Sequence, residues 1–260
     1  MILAVMSYPY HYHITQLAIK HALKHIPNIN KVVIVWDDTH GIEPEVPLHR
    51  LLRKTYPEIN FGLVPWSSII PQIETDRPIV GNVGQQIIKL HLDLVLDDEF
   101  VILDGDTIFN VDIDPANIMY SCRLYPRHSR FDFINAALGL PNYEFWTNPF
   151  MYIKRSWLKN FRIHIKSLNG KAIANLFEYD EFRMFPIYEW EIIARYILEV
   201  LKLPIKIEYF DKFTVTPDNF ALEFNFDYNF VLKGNDRISK DFYQKHGIEI
   251  DEELWTKLGY

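Results

Sequence analysis

Short, unbroken apolar runs that alternate with helix-like stretches constrain this chain more than any other feature. Ile2 to Ser7 (ILAVMS) is such a run, as a parallel strand covered on both faces requires. Thr15 to His25 then sets Leu17, Ala18, Ala22, Leu23 and Ile26 at helical spacing and stops before Pro27. Lys31 to Asp38 (KVVIVWDD) is a second buried strand, and it finishes in acids. Leu48 to Lys54 reads as a basic helical turn, Asn60 to Pro65 as a third strand, and Val83 to Leu96 as a helix. Val101 to Leu103 is the next strand. Strand, helix, strand, repeated, predicts a doubly wound α/β fold: a mixed, mostly parallel sheet flanked by helices.

Beyond Asp114 the pattern loosens. Pro149 to Lys154 reads as a strand, Trp157 to Ile165 as a short helix, and Glu189 to Leu203 as an amphipathic helix behind Pro186. Ile205 to Thr216 reads as strand and Ile250 to Leu258 as a terminal helix. No repeat, low-complexity tract or linker interrupts the chain. The expectation is one domain over residues 1–260, with 1–114 as one half and 115–260 as a more elaborate second half.

Composition narrows the class. A hydrophobic content of 48% with 15% aromatics supports a filled core. A net charge of −7 argues against a general nucleic-acid binder, which needs basic excess to displace counterions. Cys122 is the lone cysteine, so no internal disulfide forms and a reducing compartment is expected. The opening MILAVMSYPYHYH has neither the basic flank nor the small-residue cleavage site of a signal peptide. The longest apolar segment, Ile192 to Ile205, is broken by Arg195, Glu199 and Lys202, so it does not span a bilayer. These features predict a soluble, cytoplasmic protein. They say nothing of its oligomeric state.

The chemistry concentrates in VILDGDTIF, Val101 to Phe109. Residues two apart on an extended segment point to the same side, so Asp104 and Asp106 can face one site, and Gly105 leaves room for close approach to the backbone. Two hard oxygen donors suit Mg²⁺ or Mn²⁺, ions that keep positions for water and substrate phosphates. The same acids also read as a turn cap and a solvated residue. Tyr8, Asp37 and Asp38 fall at the ends of the first two strands, where α/β folds collect ligands.

The segment from Gly81 to Phe109, GNVGQQIIKLHLDLVLDDEFVILDGDTIF, resembles the donor-site core of nucleotide-sugar-dependent glycosyltransferases of the GT-A type. One group of these carries a Gly-x-x-x-Gln-Gln-x-x-Lys-Leu helix before a strand that ends in Asp-x-Asp-Thr. Gly81, Gln85, Gln86, Lys89 and Leu90 match the helix, and Asp104, Asp106 and Thr107 match the strand end. In order of elements the resemblance runs to about Ile197. The last sixty or so residues match nothing in it.

The resemblance implies a GT-A-like, Rossmann-like fold and a sugar moved from a UDP- or GDP-linked donor to a glycan or glycolipid hydroxyl. Asp104 and Asp106 would hold the ion bridging the donor's phosphates, with Lys89 adding charge there beside Gln85 and Gln86. Tyr8 and Asp37 would face base and ribose; Asp37 reads equally as a turn acid. The family often takes a third metal ligand, commonly His, from the C-terminal region, and His246 qualifies by position. Glu189 and Glu191 open a helix where the family places an acid facing the acceptor, although Tyr188 replaces the usual serine. Glu189 is the candidate general base for an inverting reaction; both acids also complement a helix dipole. Trp190 and Trp146-Thr147-Asn148 offer surfaces for sugar stacking, or core. The histidines at 11, 13, 21 and 25 show no third ligand and read as structural or surface groups.

Two rivals are weighed against this. Haloacid-dehalogenase-type phosphatases end a strand in Asp-x-Asp-x-Thr, whereas Ile108 stands at that last position and two βα units come first; Gly234 to Asp241 does imitate their later acidic motif. The other is a catalytically inactive GT-A-like module that binds a glycan or protein, against which Lys89, Asp104 and Asp106 stand intact.

Overall fold

In a computed structural model, the described residues are 1–8, 12–39, 45–105, 107–109, 112–116, 118–122, 136–140, 150–176, 189–210, 221–223, 240, 244, 247–250 and 252–257. In chain order the first elements are β1 (Ile2–Ser7), α1 (Tyr12–His25), β2 (Lys31–Trp36), α2 (Glu45–Thr55), β3 (Asn60–Pro65), α3 (Trp66–Ile69) and α4 (Gly81–Lys89). Then come β4 (Glu99–Asp104), β5 (Thr107–Phe109), β6 (Ile118–Cys122), β7 (Phe150–Lys154), α5 (Arg155–Asn169) and α6 (Ile173–Leu176). The last described elements are α7 (Glu189–Arg195), β8 (Lys206–Phe210), β9 (Ala221–Glu223) and α8 (Glu252–Lys257).

The fold is mixed α/β. A five-stranded, mostly parallel sheet runs in the order β3-β2-β1-β4-β7, and helices flank it. β1 and β2 pair in parallel, Ile2 opposite Lys31 through Ser7 opposite Trp36. Residues 3–7 and 32–36 are buried, which is why both strands read as continuous apolar runs. Among the described residues no helix is long and apolar enough to cross a membrane.

The chain divides into two compact units, one of Met1–Val64, Leu103–Asp114 and Phe213–Tyr260, the other of Pro65–Ile102 and Pro115–Lys212. In the first, β5 pairs with β9 antiparallel, Thr107 opposite Glu223. In the second, β6 pairs with β8 in parallel, Ile118 opposite Lys206. Leu158, Phe161 and Ile165 form the buried stripe of α5.

Two helix expectations are corrected. The helix expected over Val83 to Leu96 is α4, which ends at Lys89 and gives way to a 3₁₀ turn at Leu92–Leu94. The His91 ring takes the Ile87 carbonyl, Nδ1–H donating at 2.7 Å. The His91 backbone N–H turns instead to Ile88 O at 2.9 Å, and the spiral tightens. The amphipathic helix expected over Glu189 to Leu203 is α7, buried at every position, then a π-helical turn over Tyr196–Val200. Its charged residues face inward, so polarity does not mark a solvated side.

The first strand and β3 match their expected bounds, and β2 stops two residues short of Asp38. α1 begins at Tyr12, three residues early, because Tyr12 and Ile14 join its buried side. Residues 211–216 of the strand expected over Ile205 to Thr216 lie outside the described residues, as does Leu258.

Candidate active site

In the first unit the acidic candidates stand at strand ends. β1 closes at Ser7, whose hydroxyl shares a hydrogen bond of 3.2 Å with Thr15 Oγ1 on α1. Tyr8 follows, half-buried. Asp37, directly after β2, is buried and folds back on its own turn: Oδ1 accepts the backbone N–H of Thr39 at 2.9 Å and the Thr39 hydroxyl. These are the contacts of a turn-forming acid.

Asp104 is the last residue of β4 and is half-exposed. Gly105 is buried where no side chain fits. A Cβ there would overlap the Met6 carbonyl oxygen and lie 2.8 Å from Thr15 Oγ1. Glycine therefore lets the acidic turn close against the end of β1 and the start of α1. Thr107 and Phe109, just beyond it, are fully buried. Asp106 and His246 lie outside the described residues. Among the described residues no three His, Cys, Asp or Glu side chains group to hold a metal ion. Asp104 itself fits one, as a half-exposed hard carboxylate at a strand end, but the room expected at Gly105 is taken by Met6 and Thr15 and not left to a ligand.

In the second unit α4 and α7 bring the other candidates together. Gly81 opens α4 with φ 61°, the left-handed region that glycine enters without strain. Gln85 is half-buried; Gln86 and Lys89 are buried. Lys89 Nζ donates to Glu189 Oε1 in an ion pair whose side chains are 3% and 6% exposed. The same ammonium lies 4.4 Å from the centroid of the Trp190 ring, a cation–π distance. Glu191 and Arg195 are buried on the same helix. Tyr188, Pro186 and Trp146-Thr147-Asn148 lie outside the described residues, as do Gly234 to Ser239 and Asp241.

Sequence reasoning did not find a second buried charge cluster. Asp93, buried beside Leu92, receives both terminal nitrogens of Arg162, one at 2.7 Å. Arg162 also donates to the Leu90 carbonyl at 2.8 Å. His91 sits in this cluster with its pKa lowered to about 4, by burial first and then by Arg162, against the opposing Ile87 hydrogen bond and Asp93. Nothing in the spacing of Asp93 and Arg162 signals the pair.

The α1 histidines His13, His21 and His25 each meet a partner within the fold. His21 Nδ1–H donates to the Phe109 carbonyl at 2.7 Å, and His25 Nδ1–H to Asp112 Oδ1 at 3.0 Å. The His13 ring packs 5.1 Å from Trp255. His11 lies outside the described residues.

No protein-family model matches the chain. No curated protein matches it either. Among solved structures it is similar to the galactosyltransferase LgtC in complex with donor and acceptor sugar analogues, at 13% identity and a TM-score of 0.45, over 80% of this chain and 73% of that one. An active-site mutant of LgtC is similar at 13% identity and 0.46, over 96% and 84%. The bifunctional glycosyltransferase WbbM is similar at 10% and 0.45, over 65% and 34%. At this level of likeness, function rests on the chain's own residues.

Proposed function

We propose that this chain is a metal-dependent glycosyltransferase, moving a sugar from a UDP- or GDP-linked donor to a hydroxyl of a glycan or glycolipid. One observation carries the reading: the Asp104-Gly105 turn at the carboxyl end of β4, built so that only glycine fits behind the acid. Ligands of α/β sheets collect at such ends. When bound, a Mn²⁺ or Mg²⁺ ion held by Asp104, Asp106 and His246 would offset charge on the departing nucleoside diphosphate.

The remaining roles follow from side chains. Tyr8 offers a ring to the base, and Asp37, Gln85 and Gln86 offer polar groups to the nucleotide sugar. Glu189 is the candidate for accepting the acceptor's hydroxyl proton, with Glu191 in a supporting role. The buried Lys89–Glu189 pair favours assigning Lys89 to fixing Glu189, ahead of the diphosphate.

Calorimetry with UDP and with GDP, each with and without Mn²⁺, tests the reading. The expected result is binding of one diphosphate that needs the metal and is abolished in Asp104→Ala and Asp106→Ala proteins with unchanged circular dichroism. Glu189→Gln should cut turnover by about 10²–10⁴-fold and leave that binding nearly intact. Metal-independent binding, or none, overturns the proposal.

A further inference from the structure

Beyond the acids themselves, the segment they open is tied to α1 at several points. Gly105 packs against Thr15 at the helix start. Four residues past Gly105, the Phe109 carbonyl receives His21 Nδ1–H at 2.7 Å. Ile113 N–H donates to the His25 carbonyl at 2.8 Å, and Asp112 takes the His25 ring. Both partner oxygens are acceptors only, so each ring is the donor at Nδ1. The two rings stack at 6.1 Å, as residues four apart on one helix face do.

Thr107–Phe109 of β5 pair with Ala221–Glu223 of β9. A one-residue slip would turn every side chain of such a strand over. The imidazole of His21 is rigid, is part-buried and grips the backbone of β5 itself. It therefore fixes where the strand lies along α1, and with it the turn that starts at Asp104.

We infer that His21 is a positioning residue for the turn that starts at Asp104: its N–H holds β5, and through it the Asp104 carboxylate, in place for a divalent ion. This rests on the metal role proposed above. His21 touches neither ion nor sugar; it acts through the Phe109 carbonyl.

The test compares His21→Phe, which keeps a ring and loses the donor, with His21→Asn, whose amide N–H stands close to the position of Nδ1. Mn²⁺ is titrated into each protein with and without UDP or GDP, and unfolding temperature is recorded alongside. Groups that orient metal ligands typically change affinity by 10- to 100-fold. The expected result is Mn²⁺ binding weakened about tenfold in His21→Phe and restored in His21→Asn. Equal weakening in both would assign the effect to ring packing and overturn the inference. A lowered unfolding temperature with unchanged Mn²⁺ affinity would do the same, leaving the glycosyltransferase reading in place. If His21→Phe does not fold, His21→Ala against His21→Asn gives the same comparison. A wild-type protein that binds no Mn²⁺ under any of these conditions overturns both.

Discussion

Lys89 and Glu189 stand 100 residues apart in sequence and meet as a buried ion pair under the Trp190 ring. Removing two charges from water costs several kcal/mol per ion, and their attraction, the hydrogen bond and the aromatic face together offset it. Such a pair adds little net stability. It holds a carboxylate in one place, which is what a residue proposed to accept a proton needs.

A double-mutant cycle on this pair separates its parts. Lys89→Met leaves the Glu189 carboxylate buried without its ammonium and should cost about 3–5 kcal/mol in urea unfolding. Lys89→Met combined with Glu189→Leu should be more stable than Lys89→Met alone, because no buried charge is stranded. Additive losses would mean that the two side chains do not interact in solution.

Gly105→Ala probes the acidic turn without touching an acid. The added Cβ meets backbone, the Met6 carbonyl oxygen, which cannot swing aside as a side-chain tip would. Overpacking of this kind costs about 1–3 kcal/mol. The larger effect should be on function, with Mn²⁺-dependent diphosphate binding lost at temperatures where the variant is still folded. Undiminished binding would show that the turn has room to spare.

His91 makes stability depend on pH. Its folded pKa, about 4, lies below the ordinary 6.5, so the unfolded chain takes up the proton first. The stabilisation is complete above pH 6.5 and is lost as pH falls from there toward 4. Linkage gives a loss of about 2 kcal/mol between pH 7 and pH 5. His91→Phe should flatten the unfolding free energy across that interval by this amount. A variant with the same slope as wild type would place the titration elsewhere.

Much of the fold was legible because burial on both faces writes itself into consecutive residues. Ile2 to Met6 and Val32 to Trp36 are apolar throughout since each strand has a neighbour beside it and its side chains are covered. The short helix read over Trp157 to Ile165 lies within α5, Arg155–Asn169, whose buried stripe is Leu158, Phe161 and Ile165. The acids at the end of β4 were visible as a break in such a run. Tertiary structure alone decided the rest. The pairing of Thr107–Phe109 with Ala221–Glu223 joins segments far apart in the chain, which no local period records. α4 ends where one His91 ring captures one carbonyl, a competition that composition does not record. The acids of α7 read as helix-dipole partners or as acids facing an acceptor; both are buried, and the ammonium that compensates Glu189 lies on α4. Periodicity is carried by neighbours along the chain; charge compensation acts between groups close in space, and only folding makes residues 89 and 189 neighbours.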